Sequence, residues 1–345
     1  MSLAALTTLR LGGNAAFYCQ VTSDSELVAA LGWAKGKGVP AFVLGGGSNL
    51  VVADAGFDGV VIHMASRGVR PLLLGEFAEL TVAAGEPWDT FVAQVVQKGW
   101  AGVECLGGIP GQVGSTPIQN VGAYGQEVAE TISRIRVLDR SSMNIEWMDA
   151  SALAFSYRDS VLRRQLQRWI VLDVVFRLRI SGAPSVRYEE LQKSLSTIPS
   201  PTLQDVHNNV IELRKRKSMV LDANDPNTQS AGSFFTNPMV DAATAAHVVQ
   251  VAEAAFGASV EVPQWRQNDG RIKLAAGWLI EKSGFKRGYR KGPVGISSNH
   301  ALALVHHGGG HTADLLDLAR EVRKGVKGTF GVQLEAEPIL LGAVW

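Results

Sequence analysis

The chain has 345 residues, 46% hydrophobic and 19% charged, which is enough apolar material for sizeable cores in two or three domains. A formal net charge of +1 argues against nucleic acid or a membrane surface as the main partner, and no apolar run is long enough to span a bilayer. Two cysteines, Cys19 and Cys105, are too few for a disulfide framework, and the N-terminus lacks a basic segment followed by an uninterrupted apolar core, so a cytoplasmic protein with reduced thiols is expected.

Strand and helix alternate over the first hundred residues. Ser23-Asp24-Ser25-Glu26 reads as a capping box opening a helix that ends near 36–38. Strands are expected at 41–44, 60–64 and 80–84, and Pro87 suits the first position of a helix ending at Gly99. After a long glycine-rich loop, 132–139, 144–148 and 169–180 read as strands, and 206–217 as a helix ending in a basic run. The polar segment 218–229 marks a boundary. Beyond it come helices near 240–256, 272–282 and 312–326, a strand at 301–305 before Gly308-Gly309-Gly310, and a last strand at 332–341. No internal repeat or low-complexity tract occurs, and periodicity alone gives a mixed α/β chain of more than one domain.

Two glycine clusters carry the functional signal. Residues 107–125 hold six glycines and two prolines, which excludes a regular helix or a central strand. Yet Ile109, Val113, Ile118 and Val121 make the stretch too apolar for a solvated linker. An ordered loop whose backbone closely approaches something remains, and rows of backbone N–H groups suit a large phosphorylated cofactor. The alternative is a tightly packed structural loop. The second cluster, Gly45-Gly46-Gly47-Ser48-Asn49-Leu50, follows the 41–44 strand. Leu50 stands where a dinucleotide fingerprint needs its third glycine, and no lysine followed by Ser or Thr sits at Walker A spacing, so another phosphate cradle is required.

The 44–50 turn, the 109–125 loop, Tyr157-Arg158-Asp159-Ser160, Ala231-Gly232-Ser233-Phe234-Phe235-Thr236-Asn237-Pro238 and Leu334-Glu335-Ala336-Glu337-Pro338 occur in that order. Together they resemble the UDP-N-acetylenolpyruvoylglucosamine reductase family, and the likeness runs from Thr8-Leu9-Arg10-Leu11-Gly12-Gly13 to Gly342. The resemblance implies an α+β fold with a two-part FAD-binding region of the vanillyl-alcohol-oxidase/PCMH type and a C-terminal α+β substrate-binding domain. The expected boundaries are 1–66 (joined by the last strand, 331–345) and 67–218 for FAD, and 219–330 for substrate. It further implies a cytoplasmic monomeric flavoenzyme of peptidoglycan precursor synthesis, and so of cell wall, cell shape and cell division. Non-covalent FAD would take hydride from NADPH and reduce UDP-N-acetylglucosamine enolpyruvate to UDP-N-acetylmuramate.

By the same resemblance FAD is held by Leu44, Gly45, Gly46, Gly47, Ser48, Asn49, Leu50, Ile109, Pro110, Gly111, Val113, Gly114, Ser115, Pro117, Ile118, Gln119, Asn120, Gly122, Ala123, Tyr124 and Gly125. Tyr157, Arg158, Tyr188, Lys217, Ser233, Asn237 and Glu337 would hold substrate, and Arg158, Ser233 and Glu337 would be catalytic. The residue chemistry is compatible. The always-charged planar fork of Arg158 matches a carboxylate, although a surface ion pair would also use it. Ser233 is a weak acid, but an enolate carbon is a strongly basic acceptor; a turn or capping serine is the other reading. Period-two alternation puts Gln333, Glu335 and Glu337 on one strand face, and Glu337 should be protonated or hydrogen-bonded to a donor when hydride arrives.

Arg214-Lys215-Arg216 reads as dipole compensation and solubility, with Lys217 alone as diphosphate ligand. Segment 218–225 is longer and more acidic than a common family pattern. His306, His307 and His311 read as a strand-to-helix turn capped by Thr312, not a metal site. The basic and aromatic loop 285–291 suits a surface loop near the uridine pocket, and Trp278 suits the core. Two other functions fit less of the pattern: an FAD-dependent oxidase of a sugar or alcohol on the same architecture, and a nucleotide-sugar binding module without catalysis.

Overall fold

The computed structural model describes residues 1–345. In chain order the elements are β1 (Ala15–Val21), α1 (Asp24–Lys37), β2 (Ala41–Leu44), β3 (Leu50–Val52), β4 (Phe57–Met64), β5 (Val69–Leu74), β6 (Phe77–Ala83), α2 (Trp88–Gln97) and β7 (Trp100–Ala101). There follow β8 (Gly122–Ala123), β9 (Gln126–Glu127), β10 (Ile132–Asp139), β11 (Ile145–Asp149), α3 (Val161–Arg164), β12 (Trp169–Ile180), α4 (Glu189–Ser194) and α5 (Leu203–Arg216). The last third holds β13 (Met239–Val240), α6 (Ala242–Phe256), β14 (Gln264–Arg266), β15 (Ile272–Leu274), α7 (Ala276–Lys282), β16 (Arg290–Lys291), β17 (Val294–Ile296), β18 (Leu304–His306), α8 (Thr312–Phe330) and β19 (Ile339–Leu341). The fold is mixed α+β, and the chain forms two compact units.

The first unit comprises Met1, Ala15–Gly47 and Asp58–Val220. Its smaller sheet has the order β1-β4-β2, with β2 parallel to β4 so that Leu44 lies opposite His63. Its larger sheet runs β11-β10-β12-β6-β5, with β7 also on β12, and is antiparallel throughout. β12 is buried without interruption from Ile170 to Phe176. The one polar residue in that stretch, Asp173, is paired with Arg136 and Arg70. Phe176 packs against Phe91 and Trp88 with ring centres 5.1 and 5.7 Å apart. All three rings are fully buried, and truncating one costs about 3–5 kcal/mol. α1 starts where Ser23 accepts the Glu26 N–H, as its sequence predicts. Pro87 is the N-cap of α2 and not its first residue; its extended ψ of 125° places it outside the helix.

The second unit comprises Ser2–Asn14, Ser48–Phe57 and Leu221–Trp345. It contains the parallel pair β3–β19 and two three-stranded antiparallel sheets, β13-β15-β14 and β16-β17-β18. Phe234, Phe235, Leu279, Ile280, Leu315, Val322 and Phe330 lie in its core. The Asp54 carboxylate accepts the N–H groups of Thr312 (2.7 Å) and Ala313 (2.9 Å), so a residue far away in sequence caps α8. His311 is the N-cap; Thr312 is already helical and its hydroxyl donates to the Val52 carbonyl at 2.6 Å.

Four expectations fail in this unit for identifiable reasons. The strand expected at 301–305 covers only 304–306 as β18, because 301 and 302 form a turn closed by the Ala303 N–H on the His300 carbonyl at 3.2 Å. Residues 272–282 are not one helix: 272–274 pair on both sides as β15, and only 276–282 coil as α7. The strand expected at 332–341 shrinks to β19, because Pro338 has no N–H to donate and residues before it contribute only an isolated bridge between Phe235 and Ala336. α8 runs on to Phe330 through Gly325, where the Phe285 ring fills the space: a Cβ there would meet it at 2.3 Å. That contact, the edge-to-face pair Phe285–Tyr289 and the ion pairs Arg287–Glu281 and Lys291–Glu321 fasten the 285–291 loop onto α7 and α8.

Candidate active site

The two glycine bends of the first unit nest against each other. A Cβ on Gly46 would sit 2.7 Å from the Gly111 Cα, and one on Gly45 would sit 2.6 Å from the Ser115 Oγ. Part of the glycine content therefore serves loop-on-loop packing. Gly111 is itself fixed, its carbonyl accepting the Trp88 N–H at 3.1 Å, and Val113 donates to the Glu86 carbonyl at 2.9 Å. The Gln112 amide donates to the Met64 carbonyl at 3.0 Å, while its Oε1 is buried with no donor in the protein. None of the hydrogen bonds that build these bends uses the N–H of Gly45, Gly46 or Gly47. The bend then continues into Ser48, Asn49 and Leu50, the first residues of the chain's second stay in the other unit.

Downstream the loop is wound into short 3-10 turns and ends in the hairpin β8–β9. Tyr124 and Gly125, at φ +49° and +79°, form its two-residue tip, as a type I′ turn requires. This loop holds the Tyr157-Arg158 segment at several points. Ser156 and Asp159 exchange backbone hydrogen bonds (3.1 and 3.2 Å), leaving Tyr157 and Arg158 at the tip of a tight turn, with Arg158 at φ +53°. The Arg158 Nη2 donates to the Gly122 carbonyl at 2.7 Å. The Ser160 hydroxyl donates to the Ile118 carbonyl at 2.6 Å and accepts the first N–H groups of α3. The Arg163 Nη1 donates to the Gln119 Oε1 at 3.0 Å.

Tyr124, Tyr188 and Lys217 also come together in this unit. The two tyrosine rings meet edge to face at 5.5 Å, and the Lys217 ammonium lies 5.5 Å from the Tyr124 ring. Burial pushes the Tyr124 hydroxyl up to about 12, and burial followed by Glu190 raises Tyr188 as well. Lys217 caps α5 and pairs with Glu190 at 2.5 Å, so any anion brought to Lys217 would have to compete with that carboxylate. Arg214 departs from the expected solubility role. It is buried, donates to the carbonyls of Met219 (2.7 Å) and Gly108 (3.3 Å), and leaves its Nε without an acceptor. Burial pulls its pKa down to about 10.

The second unit holds Ser233, Asn237 and Glu337. Ser233 is half-buried between Gly232 (φ +75°) and the edge-to-face pair Phe234–Phe235, whose ring centres are 5.1 Å apart. The Phe234 N–H donates to the Leu302 carbonyl at 2.7 Å, and its own carbonyl accepts the Glu337 N–H at 2.8 Å. The hydrogen bonds of this turn do not use the Ser233 hydroxyl. Glu337 is buried, unlike Gln333 and Glu335, which are exposed and bonded to each other at 3.1 Å; the three do not share one face. The Asn49 amide donates to the Glu337 carbonyl at 3.5 Å, and the Thr8 hydroxyl donates to the Ser230 carbonyl at 2.6 Å. Asn237 gives its oxygen to the Ala276 N–H at the start of α7 (2.9 Å), which leaves its amide N–H groups for a ligand. In segment 218–229, Asp222, Asp225 and Thr228 hydrogen-bond among themselves, so its extra acidic residues build an ordered turn.

An FAD binding domain model matches residues 15–145, and a model of the C-terminal domain of UDP-N-acetylenolpyruvoylglucosamine reductase matches 225–341. The chain is 47% identical over 344 residues to the UDP-N-acetylenolpyruvoylglucosamine reductase of Thermobifida fusca, covering 99% of this chain and 96% of that one. It is 49% identical over 348 residues to the same-named protein of Saccharopolyspora erythraea, covering 99% and 94%. The solved UDP-N-acetylenolpyruvylglucosamine reductase of Thermus caldophilus superposes with a TM-score of 0.66 at 25% identity, covering 99% of this chain and 97% of that one. The residues present fit FAD: a glycine bend with three N–H groups outside the internal bonding suits its diphosphate, and the orphaned Gln112 oxygen is a buried acceptor for a ligand donor. The chain belongs to the UDP-N-acetylenolpyruvoylglucosamine reductase family of FAD-containing oxidoreductases.

Proposed function

We propose that the chain reduces the enolpyruvyl double bond of UDP-N-acetylglucosamine enolpyruvate to give UDP-N-acetylmuramate, with NADPH as hydride donor. The observation that carries the reading is Arg158: an arginine at the tip of a tight turn, one nitrogen anchored on the same loop that the FAD-binding match covers. Bound FAD supplies a two-electron hydride relay between NADPH and the vinyl carbon. Arg158 takes the substrate carboxylate and neutralises the charge that builds there as the enolate forms. Ser233 gives its hydroxyl proton to the enolate carbon, from a turn held by buried Phe234 and Phe235. Glu337, fixed through its backbone to Phe234, acts as a hydrogen-bond donor to the same charge in its neutral form. Lys217, Tyr188 and Asn237 take the diphosphate and sugar.

The same reading assigns FAD to regions 1–66 (with 331–345) and 67–218, and the sugar nucleotide to 219–330. Both cysteines are free, which suits the reducing cytoplasm. The test is Ser233→Ala followed anaerobically. NADPH should bleach the flavin at the wild-type rate, and added enolpyruvyl substrate should then fail to restore the yellow colour. Normal recovery removes Ser233 from the reaction, and recovery with oxygen in place of substrate points to an oxidase.

A further inference from the structure

Asn120 is the most deeply buried polar side chain of the 107–125 loop, only 1% exposed. Its backbone is left-handed (φ +47°), a region that asparagine tolerates better than most non-glycine residues. Both ends of its amide are engaged within the protein. Nδ2 donates to the Glu127 Oε2 at 2.7 Å and to the Ser156 carbonyl at 3.1 Å, and Oδ1 accepts the Ala129 N–H at 3.1 Å. Both amide hydrogens are thus spent internally, so any part in holding FAD, which the resemblance expected of this residue, falls to its backbone.

Its two donor bonds go to the two supports of Arg158. Ser156 opens the tight turn that carries Tyr157 and Arg158. Glu127 lies opposite Gly122 in the β8–β9 hairpin, and the Gly122 carbonyl holds the Arg158 guanidinium. The fit is close: a Cβ on Gly122 would lie 2.7 Å from the Glu127 Cγ and 3.3 Å from the Arg158 Nη1. One amide therefore sets the distance between the backbone from which Arg158 springs and the carbonyl that orients its head.

We propose that Asn120 is a positioning residue for the oxidative half-reaction: it fixes Arg158 for the substrate carboxylate and does not itself touch cofactor or substrate through its side chain. This inference rests on the reading of Arg158 as the carboxylate-holding group. Asn120→Asp keeps the shape, removes both donors and sets a carboxylate against that of Glu127. Asn120→Ser removes the reach without adding charge, and carries the test if the aspartate variant does not fold. Each is purified with FAD and compared with Arg158→Ala and with the double variants, measuring flavin content, flavin reduction by NADPH, and reoxidation by the enolpyruvyl substrate.

The expected result is full flavin content, reduction within about twofold of wild type, and reoxidation slower by about 10²-fold, the scale of a misplacement of about 1 Å. In the Arg158→Ala background the Asn120 change should then add nothing, since its effect runs through the missing arginine. Additive losses, equal slowing of both half-reactions, or loss of flavin from both Asn120 variants would overturn the proposal. If Arg158→Ala alone reoxidises normally, the reading of Arg158 fails first and this inference goes with it.

Discussion

Gly46→Ala tests whether the glycine bends are shaped by each other. The added Cβ would lie 2.7 Å from the Gly111 Cα, 3.0 Å from its carbonyl carbon and 3.4 Å from the Gln112 nitrogen. All three are backbone atoms, and carbon–carbon contacts settle at about 3.5–4 Å, so one bend must retreat by about 1 Å. Gly111 resists, being bonded to Trp88 on α2. Overpacking of this kind costs about 1–3 kcal/mol. At about 2–4 °C per kcal/mol for a domain of this size, the Tm of the flavin-free protein should fall by about 2–12 °C. If the strain relaxes in the flavin-free protein and must be restored on binding, FAD affinity falls by about 5- to 150-fold. Gly36→Ala in α1 is the control, because a Cβ there meets nothing within 4 Å and should stabilise by about 0.5–1 kcal/mol. The assays are thermal melts of flavin-free protein and FAD titration by flavin fluorescence. A Gly46→Ala protein with wild-type Tm and wild-type FAD affinity would refute the nested-bend argument.

Two other perturbations probe the first unit. The Asp139 carboxyl is held down to about 2 by the Ser141 hydroxyl (2.5 Å), then the Ser141 N–H (2.8 Å), with Arg168 (3.2 Å) a smaller cause. A depressed carboxyl stabilises the fold above its unfolded pKa of about 3.9 and loses that effect as pH falls through its folded value. Asp139→Asn should therefore be less stable than wild type at pH 7, with the gap closing between about pH 4 and pH 2 in urea melts; a gap independent of pH would contradict this. Burial pushes the Cys105 thiol up to about 12, and its Sγ lies 3.2 Å from the Ser185 carbonyl. Iodoacetamide at pH 8 should label Cys105 only as fast as the protein opens, and half-buried Cys19 sooner; prompt labelling of Cys105 in the native state would contradict its placement.

What could be read from the sequence depended on the length of the signal. β10 and β12 appear with the expected limits, β12 because it is long and rich in Val, Ile and Leu, and β10 because apolar and polar residues nearly alternate along it. β15 was hidden, because Ile272, Leu274, Leu279 and Ile280 mimic helical spacing when a three-residue strand abuts a short helix. Residues 107–125 were legible as an ordered loop, yet nothing in the letters says that Gly46 lies against Gly111, since a close backbone approach leaves no trace in either segment alone. The burial of Arg214 is legible in the periodicity of its helix. α5 buries Leu203, Val206, His207, Val210 and Leu213, and the same periodicity carries the arginine onto that face. The left-handed backbones of Asn120 and Arg158 have no sequence signature beyond the tolerance of asparagine for that region.

The pairing of β3 with β19 has a consequence for how the protein is made. Leu50, Val51 and Val52 take Ile339, Leu340 and Leu341 as register partners. A ribosome delivers the first of these strands long before the second. Until residues 339–341 are made, β3 therefore waits without a sheet neighbour. A nascent chain stalled before Ile339 should therefore leave β3 unpaired and emerge colourless.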